Sequence, residues 1–302
     1  MLTILHVSDV HIGPHYVPEV GEALLRAASE LEVNLVVASG DFTQRAKPEQ
    51  YAAARAFLDR LPAVPRVVTP GNHDVPLYRV FERAFDPYRY YRQYISRELD
   101  YVLRLDNAVV VSLNSTSPLR AVVNGRIDPW QVEFAARAFA EAPPGLPRIL
   151  VAHHHFAPAP DYEGGQVMPG AKRAMARFHD LKIDLIMGGH LHRAYIGNSL
   201  DVYPGEQRRR GIIIVQSGTS TSGRGRARER QKNSFNLLRV SEDRIRVTHY
   251  MFFAELGGFA PISRHIFPRP GYQWLAEARG EPEEGMALAP PPDVAARAEA
   301  GE

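Results

Sequence analysis

The chain has 302 residues, of which 45% are hydrophobic and 23% charged, so it can form one large α/β domain or two smaller domains. Its net charge of +2 is too small to argue by itself for nucleic acid or an anionic membrane as a partner. The sequence contains no cysteine, which excludes disulfides, thiolate zinc sites and cysteine nucleophiles and leaves His, Asp, Glu and Asn as metal ligands.

The sequence has no apolar run close to the ~20 residues that a membrane-spanning helix needs. Its first residues, Met1 to His6, enter a predicted strand at once and lack a basic segment followed by a long apolar one. We therefore expect no signal peptide and a cytoplasmic location.

The first quarter of the chain alternates between predicted strands and predicted helices. Strands are expected at 2–8, 33–38 and 66–70, and helices at 19–31 and 48–60. Pro48 suits the first turn of the second helix, and the apolar residues that follow it recur at helical spacing. This βαβαβ order predicts a parallel sheet.

The middle of the chain is predicted to continue with a Tyr- and Arg-rich, helical segment at Tyr78–Tyr94 and then a hairpin that turns at Asp106-Asn107. The remaining expected elements are strands at 101–105, 108–113, 148–152 and 183–187, and helices at 129–141 and 166–179. Further strands are expected at 211–216, 234–240 and 244–253 without long helices between them. This change predicts a second sheet packed against the first. We expect residues 1–275 to form one domain and the Ala-, Pro- and Glu-rich residues 276–302 to be a disordered tail.

Polar side chains with metal-ligating atoms follow five of the predicted strands. They occur in the segments Asp9-Val-His11, Gly40-Asp41, Gly71-Asn-His-Asp74, His153-His154 and Gly188-Gly-His-Leu-His192. Because the carboxyl ends of parallel strands meet at one edge of a sheet, these side chains are expected to converge. Any one of the segments alone is better explained as a turn or a hydrogen-bonded histidine, but turns alone do not explain five ligand-bearing sites together.

A pair of divalent ions needs a bridging carboxylate, neutral imidazoles and an amide or carboxylate oxygen. Each requirement has a candidate here: Asp41 is placed to bridge, and Asn72 supplies an amide oxygen. Such a pair, ~3.5 to 4 Å apart, can activate a water and clamp the oxygens of a phosphoryl transfer. The ligand types suit Mn, Fe, Zn or Co and do not select among them.

The five segments, in this order, resemble the signature of the calcineurin-like metallophosphoesterase family, and the resemblance covers residues 1–255. It implies a four-layer α/β/β/α sandwich of two mixed β-sheets flanked by helices. It also implies that one ion is held by Asp9, His11, Asp41 and His192, and the other by Asp41, Asn72, His153 and His190. His73 would then face the scissile phosphate as a catalytic residue, oriented by Asp74.

Further residues are candidates for contacts with the substrate. His154 and His155 follow the expected ligand His153, and a register error of one position between them stays open. Arg224 and Arg226 belong to a run of alternating arginines that extends to Arg230, and Arg208–Arg210 form another basic cluster. The alternative without a functional contact is that these arginines lie in a solvent-exposed loop.

The segments Gly40–Tyr51, Leu113–Thr116 and Gly125–Asp128 resemble the bacterial class III cyclic nucleotide phosphodiesterase and glycerophosphodiesterase branch. That resemblance implies attack of a metal-bound hydroxide on a small phosphodiester. The first alternative is an SbcD-like DNA repair exonuclease, whose start resembles Ile4–Gly13 and for which nucleic acid would be the partner. The second is a non-catalytic scaffold, which the complete set of ligand residues disfavours. Tyr78–Tyr94 is open to interpretation as core, as a cap that stacks a nucleobase, or as a homodimer contact.

Overall fold

The fold is that of a computed structural model, which describes residues 1–119, 123–158, 167–203, 210–224 and 232–272. In these ranges, no helix combines the length and the apolar character that crossing a membrane requires. The six helices are α1 (Pro18–Glu30), α2 (Pro48–Leu58), α3 (Val80–Phe85), α4 (Arg89–Tyr94), α5 (Pro129–Ala140) and α6 (Ala171–Asp180).

Twelve strands are formed within the described residues. The first six are β1 (Leu2–Val7), β2 (Leu35–Ala38), β3 (Arg66–Val68), β4 (Tyr101–Leu105), β5 (Ala108–Ser112) and β6 (Arg148–Val151). The other six are β7 (Leu185–Gly188), β8 (Tyr195–Asn198), β9 (Ile213–Gln216), β10 (Ser234–Val240), β11 (Arg244–Phe253) and β12 (Gly258–Pro268).

The strands form two mixed six-stranded sheets. The first sheet has the order β12-β11-β10-β1-β2-β3, in which β1, β2 and β3 are parallel as predicted. The second has the order β4-β5-β6-β7-β9-β8, in which β5, β6, β7 and β9 are parallel and both outer strands run antiparallel to their neighbours. The parallel strands of each sheet therefore end at one edge, where the polar segments follow them.

Three apolar clusters stack the elements into four layers. One cluster lies between the first sheet and α1 and α2, and another lies between the second sheet and α5 and α6. The third joins the inner faces of the two sheets and contains Ile4, Val37, Val110 and Ile149. All of β1 is buried, and its side chains alternate between two clusters: Leu5 faces the helices, whereas Ile4 faces the other sheet. The predicted four-layer α/β/β/α sandwich is confirmed.

The second sheet is built differently from the prediction. The late strands were expected to form it, but only β9 joins it, and β10, β11 and β12 extend the first sheet from β1. The second sheet instead begins with the β4–β5 hairpin, which turns at Asp106-Asn107 as predicted. Strands β8 and β12 were not predicted. The helical segment Tyr78–Tyr94 is divided into α3 and α4. The expected tail, 276–302, lies entirely outside the described residues, which end at 272.

Candidate metal centre

Both sheets deliver side chains to one centre at their carboxyl edges. The first sheet provides Asp9 and His11 after β1, Asp41 after β2, and Asn72 in a single turn of 3₁₀ helix after β3. The second provides the remaining candidates, His153 after β6 and His190 and His192 after β7. Residues separated by most of the chain thus meet in one buried place.

Asp9, His11, Asp41 and His192 form the first cluster, whose ligand atoms all lie within 4.8 Å of one another. Nε2 of His11 and Nε2 of His192 face each other at 2.8 Å. Oδ1 of Asp9 lies 3.2 Å from Nε2 of His192 and 3.7 Å from Nε2 of His11. All four residues are buried, so these donor atoms share a small space from which solvent is excluded.

A second cluster contains His153, His154 and His190 within the same 4.8 Å limit. Asn72 joins it, because its Oδ1 lies 3.0 Å from Nδ1 of His190. Asp41 connects the two clusters: its Oδ2 is 3.6 Å from Nε2 of His11 and 3.5 Å from Nε2 of His153. A single carboxylate oxygen therefore faces both clusters, which together indicate a site for two metal ions.

The backbone at the centre is strained. Among the described residues, seven other than glycine have positive φ, and five of them are the candidates Asp9, His11, Asp41, His190 and His192. Such conformations cost of order 1–3 kcal/mol each and persist where the surrounding structure enforces them. At Gly40, φ is +96°, and a Cβ atom would lie 2.7 Å from Nδ1 of His153, so this turn requires glycine.

Hydrogen bonds outside the centre fix two of the imidazoles. Nδ1 of His153 lies 2.7 Å from the carbonyl oxygen of Ser39, and Nδ1 of His192 lies 3.1 Å from that of Arg224. Because a carbonyl oxygen only accepts, we assign the proton to Nδ1 in both rings. In the neutral rings, the Nε2 atoms then present lone pairs to the centre, which is the arrangement of a metal-ligating histidine.

The charges of the centre depend on burial and on one another. Burial lowers the pKa of His11 to about 4, although Asp9 and Asp41 oppose this shift. Burial acts in the same direction on His153, but the adjacent Asp41 carboxylate outweighs it and raises the pKa of His153 to about 9. For Asp41, burial favours the neutral form, yet the positive charge of His153 holds its pKa below the ordinary value. A cation bound between these two residues would displace the proton of His153.

The donor set fits divalent metal ions. Oδ1 of Asp9, Oδ2 of Asp41 and Nε2 of His153 are buried and have no hydrogen-bond partner among the described residues. Unsatisfied buried polar atoms are rare, and each of these three points into the centre. Carboxylate oxygen, amide oxygen and imidazole nitrogen together suit a binuclear site for Mn, Fe, Zn or Co.

His73 lies at the half-buried opening of the centre, beside the ring of His11 at a centroid distance of 4.8 Å. Its Nδ1 is 3.0 Å from the carbonyl oxygen of Gln44, and its Nε2 is 3.1 Å from Nη1 of Arg224. Gln44 belongs to the segment Gly40–Tyr51, but its contact with His73 was not predicted.

Among the described residues, the hydrogen bonds of the Asp74 carboxylate go to backbone and hydroxyl donors, and the orienting role of Asp74 toward His73 stays a prediction. Its carboxylate accepts hydrogen bonds from the backbone N–H groups of Phe42, Thr43 and Gly71. Burial and the neighbouring Asp41 raise the pKa of Asp74 to about 7, against these bonds. Asp74 thus fixes the backbone around Asp41 and His73, because three donors converge on a carboxylate that is fully buried.

His154 and His155 are buried beside His190, with ring centroids 4.6 and 5.6 Å from it. Ser115, which belongs to the segment Leu113–Thr116, holds His154: its Oγ is 2.8 Å from Nδ1 and accepts from the backbone N–H of His154. The Ser- and Thr-rich loop after β9 clamps the first segment, since Thr219 and Thr221 donate to the carbonyl oxygens of Asp9 and Val10.

The arginine clusters are described only in part. Arg224 reaches the centre, whereas Arg208, Arg209, Arg226, Arg228 and Arg230 lie outside the described residues. Arg210 donates to Asp184 and to the carbonyl oxygen of Lys182, both at 2.8 Å, so it anchors the start of β7. These contacts give Arg210 a structural role.

The family model for calcineurin-like phosphoesterases matches residues 2–194. A purple acid phosphatase from seeds of yellow lupin (Lupinus luteus) has a similar structure, with a TM-score of 0.67, 14% identity and coverage of 89% of this chain and 54% of that one. The structure of PhoD gives a TM-score of 0.66 at 12% identity and covers 89% of this chain and 70% of that one. A dimetal phosphatase from Danio rerio gives a TM-score of 0.57 at 11% identity, with coverage of 89% of this chain and 99% of that one.

These structural similarities show the fold alone, because the identities are low. The chain spans about half the length of the lupin phosphatase. No curated protein sequence matches the chain. The family match, by contrast, extends over more than half of the chain and ends just after the Gly-His-Leu-His segment. The chain therefore belongs to the calcineurin-like phosphoesterase family.

Proposed function

We propose that the protein hydrolyses a small phosphodiester at a centre for two divalent ions. One observation carries this proposal: Oδ2 of Asp41 lies between Nε2 of His11 and Nε2 of His153, at 3.6 and 3.5 Å, with ligand atoms from both sheets around it. Asp9, His11, Asp41 and His192 would hold one ion, and Asp41, Asn72, His153 and His190 the other. When bound, the ions would supply water activation and neutralise phosphate charge.

His73 and Arg224 would act on the substrate. They face the half-buried opening, where a phosphate must enter. In the present arrangement, Nε2 of His73 accepts from the Arg224 guanidinium. A phosphate oxygen that accepts the hydrogen bond of this guanidinium would break its contact with Nε2 of His73. Nε2 could then bind a proton and donate it to the leaving oxygen. Gln44 would keep the imidazole oriented through Nδ1.

The diester is favoured by the surroundings of the centre. The segments that resemble the class III phosphodiesterase branch lie directly against it: Gln44 contacts His73, and Ser115 and Gly125 pack on His154. His154 and His155 would line the substrate side. The cytoplasmic location and a homodimer contact at Tyr78–Tyr94 remain predictions.

An assay with added Mn tests the proposal. Purified protein is compared on bis(p-nitrophenyl) phosphate, p-nitrophenyl phosphate, 2',3'- and 3',5'-cyclic nucleotides and single-stranded DNA. We expect faster turnover of the small diesters than of the monoester. A preference for the monoester would overturn the proposed diester substrate but not the proposed hydrolase activity. Processive degradation of DNA would favour the nuclease alternative.

Asp41→Asn tests the centre itself, because it keeps the shape of the side chain but removes the shared charge. We expect loss of bound metal and a fall in kcat of about a thousandfold or more, since metal ions supply several kcal/mol of charge stabilisation. Asp59→Asn, the same substitution at the exposed end of α2, is the matched control and should retain both metal and activity.

A further inference from the structure

A cleft of about 490 Å³ lies beside the metal centre on the side of the second sheet. Its wall is formed by α4 and the loop after it, by the segment after β5, and by the first turns of α5. The volume is that of a site for a small molecule. None of the proposed metal ligands lines this cleft, whereas Asn114, Thr116, Arg126 and Asp128 do, and these four belong to the two segments Leu113–Thr116 and Gly125–Asp128 that resemble the phosphodiesterase branch.

The cleft presents aromatic faces. Trp130, at the start of α5, is 56% exposed, and Phe134 follows it one turn later on the same face of the helix. Tyr88 lines the cleft as well, and its ring is fixed by a 2.6 Å hydrogen bond between its hydroxyl and Oγ1 of Thr116. Exposed, well-oriented aromatic rings are stacking surfaces for a planar group, whichever planar group that is.

Three arginines from separate segments line the same cleft. Arg126 is paired with Asp128 at 2.6 Å, and Arg92 lies 3.9 Å from Asp86. Arg97 is exposed and forms no ion pair with any residue in the described ranges. Guanidinium groups bind phosphate and carboxylate through two parallel hydrogen bonds, so Arg97 and Arg92 can take an anionic group.

Asp100 adds a fixed hydrogen-bond acceptor. Its Oδ1 accepts from the backbone N–H of Asn114 at 2.9 Å and from Nε2 of Gln131 at 2.6 Å. Its Oδ2 has no hydrogen-bond partner among the described residues, so it remains for a ligand. A ring amine or a sugar hydroxyl is the kind of donor that a carboxylate oxygen binds.

We propose that this cleft binds a nucleotide, with its base stacked on Trp130, its phosphate held by Arg97 and Arg92, and Asp100 accepting from the base or the ribose. A planar ring, an anionic group and a hydrogen-bond donor are the three features that the lining requires together. Inorganic phosphate lacks the ring, and a nucleoside lacks the charge.

The cleft shares one segment with the metal centre. Asn114 and Thr116 line the cleft, whereas Ser115 between them points the other way and holds His154. The nucleotide is either the non-reacting part of the substrate or a second molecule sensed through Ser115. Either role of the nucleotide in catalysis rests on the proposed function, but binding of the nucleotide in the cleft does not.

Intrinsic fluorescence tests the binding. The chain has two tryptophans, Trp130 and Trp274, so Trp274→Phe leaves the cleft residue as the only reporter. Titration of this variant with AMP should give a saturable fluorescence change, with adenosine and inorganic phosphate at least about tenfold weaker. Arg97→Ala should weaken AMP binding by about tenfold or more. Arg137→Ala, an exposed arginine of α5 outside the cleft, should not.

The proposal is overturned if AMP, GMP, CMP and UMP all leave the fluorescence unchanged at millimolar concentration, or if Arg97→Ala binds AMP as tightly as the parent. Adding Asp41→Asn to the reporter variant separates the two proposals. Retained AMP binding in a protein without hydrolase activity supports the cleft, and an inactive wild-type protein that binds AMP would sink the proposed function alone.

Kinetics identify the source of the nucleotide. If the cleft holds part of the substrate, Arg97→Ala should raise KM for nucleotide-containing diesters about tenfold more than KM for bis(p-nitrophenyl) phosphate. If it holds a second molecule, AMP should change the hydrolysis of bis(p-nitrophenyl) phosphate in the wild type, and this effect should be lost in Arg97→Ala.

Discussion

Arg224 contributes two chemically separate groups to the candidate centre. Its guanidinium donates to Nε2 of His73, while its carbonyl oxygen lies 3.1 Å from Nδ1 of His192. Replacement by alanine removes only the first of these. We expect Arg224→Ala to lower kcat/KM for small diesters by about 10- to 100-fold, the size of a charge-assisted contact, with the content of bound metal unchanged.

Arg239→Ala is the control for this prediction, because Arg239 is an exposed arginine of β10 on the first sheet. It should have wild-type kinetics. Loss of metal in Arg224→Ala would show that the side chain supports His192, and unchanged kcat/KM across several diesters would remove its role in substrate binding.

The sequence indicates the candidate ligands better than the residues that orient them. His190 and His192 stand out because a Gly-His-Leu-His segment after a strand is an unusual pattern. Gln44 and Ser115 lie in segments that resemble the class III phosphodiesterase branch, but their contacts with His73 and His154 depend on the packing of distant segments and were not predicted. The partners of Asp74 were likewise not readable from its place in the Gly-Asn-His-Asp segment.

At the scale of elements, α2 supports the centre through one buried hydroxyl. Tyr51 donates to the carbonyl oxygen of Asp74 at 2.5 Å. In Tyr51→Phe that buried carbonyl loses its partner, which should lower the free energy of unfolding by about 1–3 kcal/mol. We also expect kcat to fall, because the same turn carries His73. Chemical denaturation and steady-state kinetics measure both effects.

Tyr94→Phe is the matched control. The ring of Tyr94 stacks on that of Tyr51 with an interplanar angle of 6°, so the variant keeps the aromatic contact and the Asp74 bond. If both variants lost the same stability, packing of the rings rather than the hydroxyl would be responsible.

Strand β11 carries a histidine that makes stability depend on pH. Burial, together with the neighbouring His265, lowers the pKa of His249 to about 4 from its ordinary 6.5. Between these two pKa values the histidine of the unfolded chain binds a proton more readily than that of the folded chain. The contribution of His249 to the free energy of unfolding is therefore complete above pH 6.5 and is lost as the pH falls towards 4. The contribution amounts to up to about 3 kcal/mol.

His249→Gln should flatten this part of the pH profile, because glutamine keeps a donor for Asn236 but does not titrate. Unfolding is followed between pH 4 and 7 in the presence of chelator, so that release of metal does not contribute. His15→Gln, which alters an exposed loop histidine, is the control. A slope shared by wild type and His249→Gln contradicts the prediction.

Local sequence patterns predicted the strands that begin βαβ units and missed two that depend on their partners. β8 has four residues including Gly197, and it is defined by pairing with β9. β12 contains Pro261, a residue confined to edge strands, and its pairing with β11 includes an irregularity at His249. The choice of β1 as the partner of β10 is likewise a long-range contact, which no local periodicity contains.

At the scale of the whole molecule, the candidate centre joins the two sheets. Asp9, His11, Asp41 and Asn72 come from the first sheet, and His153, His190 and His192 come from the second. Elsewhere the sheets are held together by apolar contacts between their inner faces. At the carboxyl edge they present carboxylates and imidazoles to one another, so cations there would stabilise the interface.

Removal of metal should therefore weaken the edge where the sheets meet. At a free metal concentration of 100 times Kd, one site adds about 2.7 kcal/mol to the free energy of unfolding. For a domain of this size, chelation should lower Tm by about 5 °C per site. Amide exchange should increase mainly after β1, β2, β6 and β7, while the opposite ends of these strands stay protected.

His153→Gln, which removes one candidate ligand of the second sheet, should lose much of the gain in Tm on adding Mn. A Tm that is the same with chelator and with Mn would show that the sheets meet without help from cations.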